Sequence, residues 1–192
     1  MCIRDSIYGA QEEKADATYR VPGAFRMVKN RFPKITALSE WQVAFAERYG
    51  YVETIPDRSV DPDRGYPLMC SRTESGYVKP TVPFNYHVSG TAMQWTDRAM
   101  IRTHDFLKGI NNGERFAGRK WLGGYYLTMQ VHDELVFDFP SGDGKGENPW
   151  DYNLPLVREV QRLMERGGDD IGVPTPVSVE YHPENWAMKI NL

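Results

Sequence analysis

Hydrophobic and polar residues alternate along Tyr125–Pro140 in a pattern that predicts a β-hairpin. In the first run, apolar and polar side chains alternate at successive positions: Leu127, Thr128, Met129, Gln130, Val131 and His132. A period of two is typical of a strand with one apolar and one polar face. A second run of strand-forming residues, Leu135–Phe139, stops before Pro140, which cannot donate a ladder hydrogen bond. The two runs therefore predict paired strands joined by a tight turn at His132-Asp133-Glu134.

The predicted turn carries two adjacent carboxylates, Asp133 and Glu134, beside His132. Like charges repel, and a carboxylate leaves water only at a cost in free energy. A divalent cation removes this cost, and magnesium prefers carboxylate oxygens as ligands. The pattern alone leaves two interpretations open: a Mg²⁺ site, and a solvated turn that is acidic by chance.

Helical periodicity over longer stretches predicts three helices. Pro33 suits the first turn of a helix, where its missing N–H costs nothing, and Gly50 is a typical stop. A helix that follows Leu154–Met164 is predicted to stop at Gly167-Gly168. The middle helix is predicted from apolar residues at helical spacing: Val88, Ala92, Trp95, Ala99, Phe106 and Ile110.

The segments between these helices predict loops and short strands. Residues 56–83 contain five prolines and predict a long irregular loop with short strands. Residues Val173–Tyr181 predict a further strand once the prolines are passed. Helices and strands together predict a fold of the α/β (α+β) class.

Composition narrows the class of protein. The chain has 192 residues, of which 41% are hydrophobic and 12% aromatic, and this favours a globular domain, or a domain and part of another. No apolar run approaches the roughly 20 residues that span a bilayer, so a soluble protein without a membrane partner is predicted. Cys2 and Cys70 are too few for a disulfide framework, and a reducing cytoplasm fits.

The charges are distributed unevenly although the net charge is only −3. Residues 65–128 carry eight basic and four acidic side chains, whereas residues 129–192 carry five basic and twelve acidic ones. A basic middle and an acidic end suit a protein that holds phosphates with one surface and metal ions with another.

Four motifs resemble those of family A DNA polymerases, and they occur in the family's order. Gln130–Phe137 resembles the third signature motif, a His-Asp-Glu hairpin in the palm domain. The other three are Phe32-Pro33-Lys34 followed by Gly50–Thr54, Asn85–Ala92, and Glu184–Trp186. In the family the Asn85–Ala92 motif opens a long palm helix.

The resemblance implies a domain organisation. Residues 7–49 would be the end of the fingers helices, and residues 50–192 the C-terminal part of a palm, with an antiparallel sheet and the hairpin packed on long helices. Residues 1–6 fit neither and are interpreted as a sequence artefact. The chain is therefore expected to be a C-terminal fragment of a longer, phage-like or environmental polymerase.

The resemblance also implies roles for individual residues in template-directed DNA synthesis from deoxynucleoside triphosphates. Asp133, assisted by Glu134, would ligate two Mg²⁺ ions together with a second carboxylate that this chain does not contain. His132 and Gln130 would face the primer terminus of the DNA. Further contacts with the primer–template are expected from residues elsewhere in the chain: Tyr8, Arg58, Asn85 and Ser89. At two positions of the Asn85–Ala92 motif this chain departs from the family, with His87 for Pro and Ser89 for Gln.

Three alternatives stay open. A single-subunit phage-type RNA polymerase also carries a His-Asp hairpin, and a degenerate palm could bind DNA without catalysis. A metal phosphohydrolase would use His104-Asp105 with His87. Because the first catalytic aspartate of the family has no counterpart here, the isolated 192 residues are expected not to polymerise DNA. The expected location is the cytoplasm, that of the host if the source is viral.

Overall fold

The computed structural model describes residues 24–142, 145–146, 148–182, 188 and 190–191. Within these residues it contains four helices: α1 (Ala24–Arg31), α2 (Pro33–Tyr49), α3 (Thr81–Asn111) and α4 (Pro149–Ile171). The strands form antiparallel pairs: β1 (Tyr51–Glu53) with β2 (Pro67–Met69), β3 (Arg115–Phe116) with β4 (Arg119–Lys120), β5 (Tyr126–Val131) with β6 (Glu134–Asp138), and β7 (Glu180–Tyr181) with β8 (Ile190–Asn191). The predicted α/β class is confirmed.

The chain divides into two compact units, one ending at Thr91 and the other beginning at Ala92. The core of the first unit is small. Its buried residues are Ala46, Val52, Cys70 and Val78, with Leu68 and Val82 packed against them. Burial raises the pKa of the Cys70 thiol, because the thiolate would lose its hydration.

The boundaries of α2 agree with the prediction. Pro33 occupies the first helical position, and Gly50 follows the helix in the left-handed conformation with φ 82°. The N–H of Gly50 donates to the carbonyl of Ala46 at 2.8 Å and closes the last turn. Strand β1 follows at once and pairs with β2, which lies inside the long proline-containing loop predicted for residues 56–83.

Helix α3 begins earlier than predicted, and the predicted apolar stripe is confirmed only in its second half, where Ala99 and Ile110 are core residues and Phe106 packs against them. It starts at Thr81 rather than Asn85, with Pro83 in its first turn. Val88 and Ala92, which were predicted to be apolar core positions, are exposed. The buried positions include several polar residues, namely Thr91, Gln94, Thr96 and Thr103. The threonines tolerate burial because each hydroxyl donates to the carbonyl four residues earlier: those of His87, Ala92 and Ala99.

Helix α4 runs through the glycine pair that was predicted to end it. It extends from Pro149 to Ile171 and ends at Gly172, which is left-handed with φ 71°. A Cβ atom at Gly167 would overlap the indole ring of Trp95, and one at Gly168 would overlap Thr175. The two glycines are therefore packing positions, and the predicted stop at this place was wrong.

The second unit has the larger core, which joins α3, α4 and the β5–β6 hairpin. Its buried residues are Ala99, Leu107, Ile110, Trp121, Tyr125, Tyr152, Leu156, Val160 and Met164. The hairpin contributes three partly buried side chains, Leu135, Phe137 and Phe139. The hairpin is thus fixed to the unit through β6.

Two further predictions concern extended segments and membrane helices. Of the strand predicted over Val173–Tyr181, only Glu180–Tyr181 pairs, as β7. Among the helices in the described part of the chain, none is both long enough and apolar enough to cross a membrane.

Candidate active site on the β5–β6 hairpin

The turn between β5 and β6 contains two residues, His132 and Asp133. Val131 and Glu134 are the last paired residues before the turn, so the loop is as short as a hairpin allows. The structure thus confirms a tight turn at the predicted place. Glu134 belongs to β6 as its first residue rather than to the turn itself.

The backbone of His132 is in the left-handed region, with φ 56°. Two-residue turns with positive φ at the first central residue usually have glycine there, because a side chain costs energy in this conformation. In the described residues, Ala117 is the other non-glycine residue with positive φ. The tip of the hairpin therefore has a histidine at a position whose backbone conformation favours glycine.

Asp133 and Glu134 are both exposed at this tip. Within the described residues, no basic side chain or hydrogen-bond donor pairs with either carboxylate. No third metal-ligating residue joins them within the same described part. Two neighbouring exposed carboxylates suit Mg²⁺, which is commonly bound by one or two carboxylates together with substrate phosphates and water.

Gln130 supports the turn from β5. Its side-chain amide Nε2 donates to the carbonyl of His132 at 3.0 Å. This bond ties the strand to the turn and satisfies a carbonyl beside Asp133. The sequence placed Gln130 and His132 on one polar face of a strand, but His132 lies in the turn and only Gln130 lies in the strand.

A β-bulge at Thr128 overturns the predicted faces of β5. Leu127 pairs with Phe137, whereas Met129 pairs with Val136, so Thr128 is an extra residue in the ladder. Directly opposed residues project from the same face, so Leu127 shares the core face with Phe137. Beyond the bulge, Met129 and Val131 project from the other face and are 41% and 38% exposed. Periodicity carries no signal for a bulge, which is why the prediction of one apolar face was wrong.

The base of the hairpin is buried in aromatic residues. Tyr125, which precedes β5, is 1% exposed and meets Phe139 edge-to-face at 5.3 Å between ring centroids. Burial raises the pKa of Tyr125 well above its usual range, because the phenolate would lose its hydration. The tip of the hairpin is therefore exposed, whereas the end that packs on the core is buried and uncharged.

Asn85 and Ser89 lie one turn apart near the start of α3, in the first unit. Both are partly buried, and the Ser89 hydroxyl donates to the Asn85 Oδ1 atom at 3.1 Å. The bond orients the Asn85 amide, whose Nδ2 donors point away from this contact. The structure thus brings these two predicted DNA-binding residues together.

His87, considered above only as a ligand of the alternative phosphohydrolase site, and Thr91, which no motif singled out, join α3 to the end of β1. The Nδ1–H of His87 donates to the carbonyl of Glu53. The hydroxyl of Thr91 accepts from the N–H of Ile55 at 2.9 Å. The departure from the family's Pro at His87 was visible in the sequence, but its partner was not, because Glu53 is distant along the chain.

Arg58 is exposed in a turn after β1. Its neighbour Asp57 is 2% exposed and accepts from both the N–H and the hydroxyl of Ser59, at 2.8 and 2.6 Å. The turn is therefore well defined, and it presents the guanidinium of Arg58 to solvent. Two other predicted features, Tyr8 and the Glu184–Trp186 motif, lie outside the described residues.

Comparison with known proteins gives a consistent result. The family model of DNA polymerase family A matches residues 7–188. The thermostable DNA polymerase I of Thermus filiformis is 30% identical over 139 residues, which cover 67% of this chain and 15% of that protein. DNA polymerase I of Rhizobium leguminosarum is 27% identical over 157 residues, covering 81% of this chain and 14% of that protein. The chain thus spans about one seventh of the length of these curated relatives.

Proposed function

Since the chain belongs to DNA polymerase family A, we propose that its β5–β6 hairpin serves template-directed DNA synthesis. The reaction joins the 3′-hydroxyl of a primer to the α-phosphate of a deoxynucleoside triphosphate and releases pyrophosphate. Little covalent chemistry falls to the protein in such transfers, so positioning and charge stabilisation dominate. The natural protein that carries this sequence would therefore be a DNA-directed DNA polymerase.

The residues at the tip have separate roles in the proposed reaction. Asp133 ligates divalent cations, and Glu134 assists from the adjacent position. Mg²⁺ ions bound there would activate the attacking hydroxyl and neutralise the charge on the leaving oxygens. His132 lies in the same turn and Gln130 beside it, and both face the primer terminus.

One observation carries this proposal: two adjacent, exposed carboxylates have no partner within the described residues, although one lies in a two-residue turn with a strained backbone and the other directly follows it. A turn selected only for folding would avoid both the like-charge pair and the left-handed His132. Both features are explained if the tip must present carboxylates and an imidazole to a cation and its phosphates.

Roles in binding the primer–template are proposed for four other positions. Exposed Arg58 suits a phosphate, which a guanidinium binds through two parallel hydrogen bonds. The Asn85 amide, oriented by Ser89, suits a base edge or a sugar. Ser89 has a short side chain and contributes through Asn85 rather than directly. Tyr8 is proposed to stack near the templating base.

The alternative functions gain no support. The family match and the relatives are DNA polymerases, so a single-subunit RNA polymerase is not favoured. His104 and Asp105 are exposed on α3, and within the described residues no third ligand completes a phosphohydrolase site with them. His87, the remaining candidate ligand, bonds to the Glu53 carbonyl. We place the reaction in the cytoplasm, that of the host if the source is viral.

Primer extension by the full natural protein tests the proposal. Asp133→Asn keeps the shape of the side chain and removes its charge. Loss of about 4 kcal/mol of charge stabilisation lowers the extension rate by about 10³-fold. Incorporation of ribonucleotides, measured in parallel, is expected to stay far below that of deoxyribonucleotides.

Asp138→Asn is the matched control, because Asp138 is an exposed carboxylate at the far end of β6. It is expected to change the rate by less than about twofold, since surface charges away from the chemistry have small effects. Equal rates for both variants would contradict the role of Asp133. A wild-type protein that binds primer–template but extends nothing would favour the non-catalytic alternative.

A further inference from the structure

Both ends of the β5–β6 hairpin are held by asparagine side chains from the two helices that pack beneath it. Asn111 is the last residue of α3, and Asn153 lies in the second turn of α4. Neither was singled out by the sequence pattern. Their hydrogen bonds reach the backbone immediately before β5 and shortly after β6.

Asn111 acts on the backbone before β5. Its Nδ2 donates to the carbonyl of Tyr125 at 2.8 Å. Its Oδ1 accepts from the N–H groups of Gly124 and Tyr125 at 3.0 and 3.1 Å. A single side-chain amide thus pairs with the donor and the acceptor of Tyr125, as a neighbouring strand would. The bonds fix the backbone direction with which the chain enters β5.

Asn153 acts on the backbone after β6. It is 5% exposed, and its Nδ2 donates to the carbonyls of Pro140 and Pro149, each at 2.8 Å. The carbonyl of Pro140 lies two residues beyond the end of β6. Because Nδ2 has two hydrogens, both bonds can form at once. The chain is therefore held to α4 where it leaves the hairpin.

The two held segments lie next to each other at the base of the hairpin. Tyr126 pairs with Asp138, which closes the ladder. A Cβ atom at Gly124 would lie 3.6 Å from the Pro140 ring, so the two flanks are in near contact. The tip, by contrast, is exposed from Val131 to Glu134. The position of Asp133 therefore depends on how the chain is held at the base of the hairpin, before β5 and after β6.

We propose that Asn111 and Asn153 are positioning residues for the carboxylates at the tip. Strand β5 has 6 residues, so the tip lies about 20 Å from the base. Over that length a tilt of about 3° moves Asp133 by about 1 Å. A misplacement of about 1 Å can lower a reaction rate by about 10²-fold. The proposal rests on the proposed function, because it concerns where Asp133 is held.

The test compares Asn111→Ala with Asn112→Ala in the full natural protein. Asn112 is the exposed neighbour and makes no side-chain bond to the hairpin. Asn111→Ala is expected to lower kcat for primer extension by about 10- to 100-fold with little change in the KM for the nucleotide. Asn112→Ala is expected to leave both constants unchanged. Asn153→Ala should behave like Asn111→Ala.

Two more variants separate positioning from a general loss of stability. Asn111→Asp has nearly the same shape and keeps the acceptor for the Gly124 and Tyr125 N–H groups, but it turns an acceptor oxygen toward the Tyr125 carbonyl in place of the donor, so it should lower kcat without leaving a cavity. Val160→Ala removes buried methyl groups from the same core and destabilises the unit without touching a hairpin bond. At a temperature where both variants are folded, Val160→Ala should keep the wild-type kcat. If Val160→Ala lowers kcat as much as Asn111→Ala does, the positioning role is wrong.

Hydrogen exchange of the amides in residues 124–138 gives a readout that does not need activity. Asn111→Ala should increase exchange in this segment, and Asn112→Ala should not. If exchange increases while Asp133→Asn has no effect on extension, the asparagines hold the hairpin but the proposed function fails. If Asp133→Asn abolishes extension while Asn111→Ala changes neither exchange nor kcat, the positioning role is overturned. Should Asn111→Ala not fold, Asn111→Asp and Asn153→Ala decide by the same two measurements.

Discussion

At the scale of single residues, the hairpin tip is less stable with His132 than it would be with glycine at the same position. The φ of 56° at His132 is a conformation in which a non-glycine residue costs about 1–2 kcal/mol. Hydrophobic patterning predicts a turn here but not the sign of φ, because many turn types satisfy the same alternation. The strain becomes visible only in the structure.

Replacing His132 with glycine separates stability from activity. We expect His132→Gly to raise the free energy of unfolding by about 0.5–1 kcal/mol, since relief of strain exceeds the entropy gained by the unfolded chain. Primer extension should fall by about tenfold or more, because the imidazole is lost. Urea denaturation and primer extension on the same preparation of the full natural protein measure the two effects.

Ala117→Gly is the matched control for this substitution. Ala117 has φ 49° and is exposed in the turn between β3 and β4. Its replacement should stabilise the protein to a similar degree and leave extension unchanged. A His132→Gly variant that extends primers at the wild-type rate would mean that the imidazole has no part in the reaction.

At the scale of elements, Gly167 shows how tertiary contact overrides a local signal. A glycine pair after an amphipathic run is a typical helix end, yet α4 continues through this pair. Residue 167 is glycine for a different reason, because the ring of Trp95 occupies the space that a Cβ would need. Alanine has the higher helix propensity by about 1 kcal/mol. We nevertheless expect Gly167→Ala to lower the free energy of unfolding by about 1–3 kcal/mol, because overpacking against a buried ring costs more. Urea denaturation measures the change.

Gly109 in α3 provides the comparison. A Cβ there would lie 2.6 Å from Oε2 of Glu114, the flexible end of a side chain that can move. Gly109→Ala should therefore be neutral or stabilising by up to about 1 kcal/mol. If Gly167→Ala were stabilising to the same extent, helix propensity rather than packing would decide at both positions.

The elements that the sequence predicted are those specified by local chemistry. Pro33 and Gly50 define α2 by their own backbone preferences, and the period of two located the turn at His132. The features that the sequence did not predict depend on contacts with residues that are distant along the chain. The bulge at Thr128 follows from pairing with β6, and the buried threonines of α3 follow from packing that hydropathy does not record. For the same reason Asn111 could not be recognised: its partner Tyr125 is close only in the folded chain.

At the scale of the whole molecule, the buried phenol of Tyr125 links stability to pH. Its pKa is raised in the folded protein, so above pH 10 the unfolded chain releases this proton while the folded one keeps it. The unfolded state then binds fewer protons, and the free energy of unfolding falls as pH rises. Below pH 10 both states are protonated and the contribution is constant.

We therefore expect the free energy of unfolding to fall by up to about 1.4 kcal/mol per pH unit more steeply above pH 10 in the wild type than in Tyr125→Phe. Urea denaturation between pH 9 and pH 11 measures both slopes, and their difference removes the contribution of the other titrating groups. Parallel slopes would show that Tyr125 ionises in the folded protein as readily as in the unfolded chain.

The acidic tip is the place where we expect the molecule to bind metal ions. We propose that Asp133 and Glu134 hold divalent cations against nucleotide phosphates. The most direct measurement is a titration of the full natural protein with Mn²⁺, followed by electron paramagnetic resonance in the presence of primer–template and a non-hydrolysable deoxynucleotide. Asp133→Asn is predicted to weaken Mn²⁺ binding at least tenfold, about 1.4 kcal/mol, while Asp138→Asn leaves the binding curve unchanged. Superimposable curves for the wild type and Asp133→Asn would show that Asp133 does not hold the metal ions.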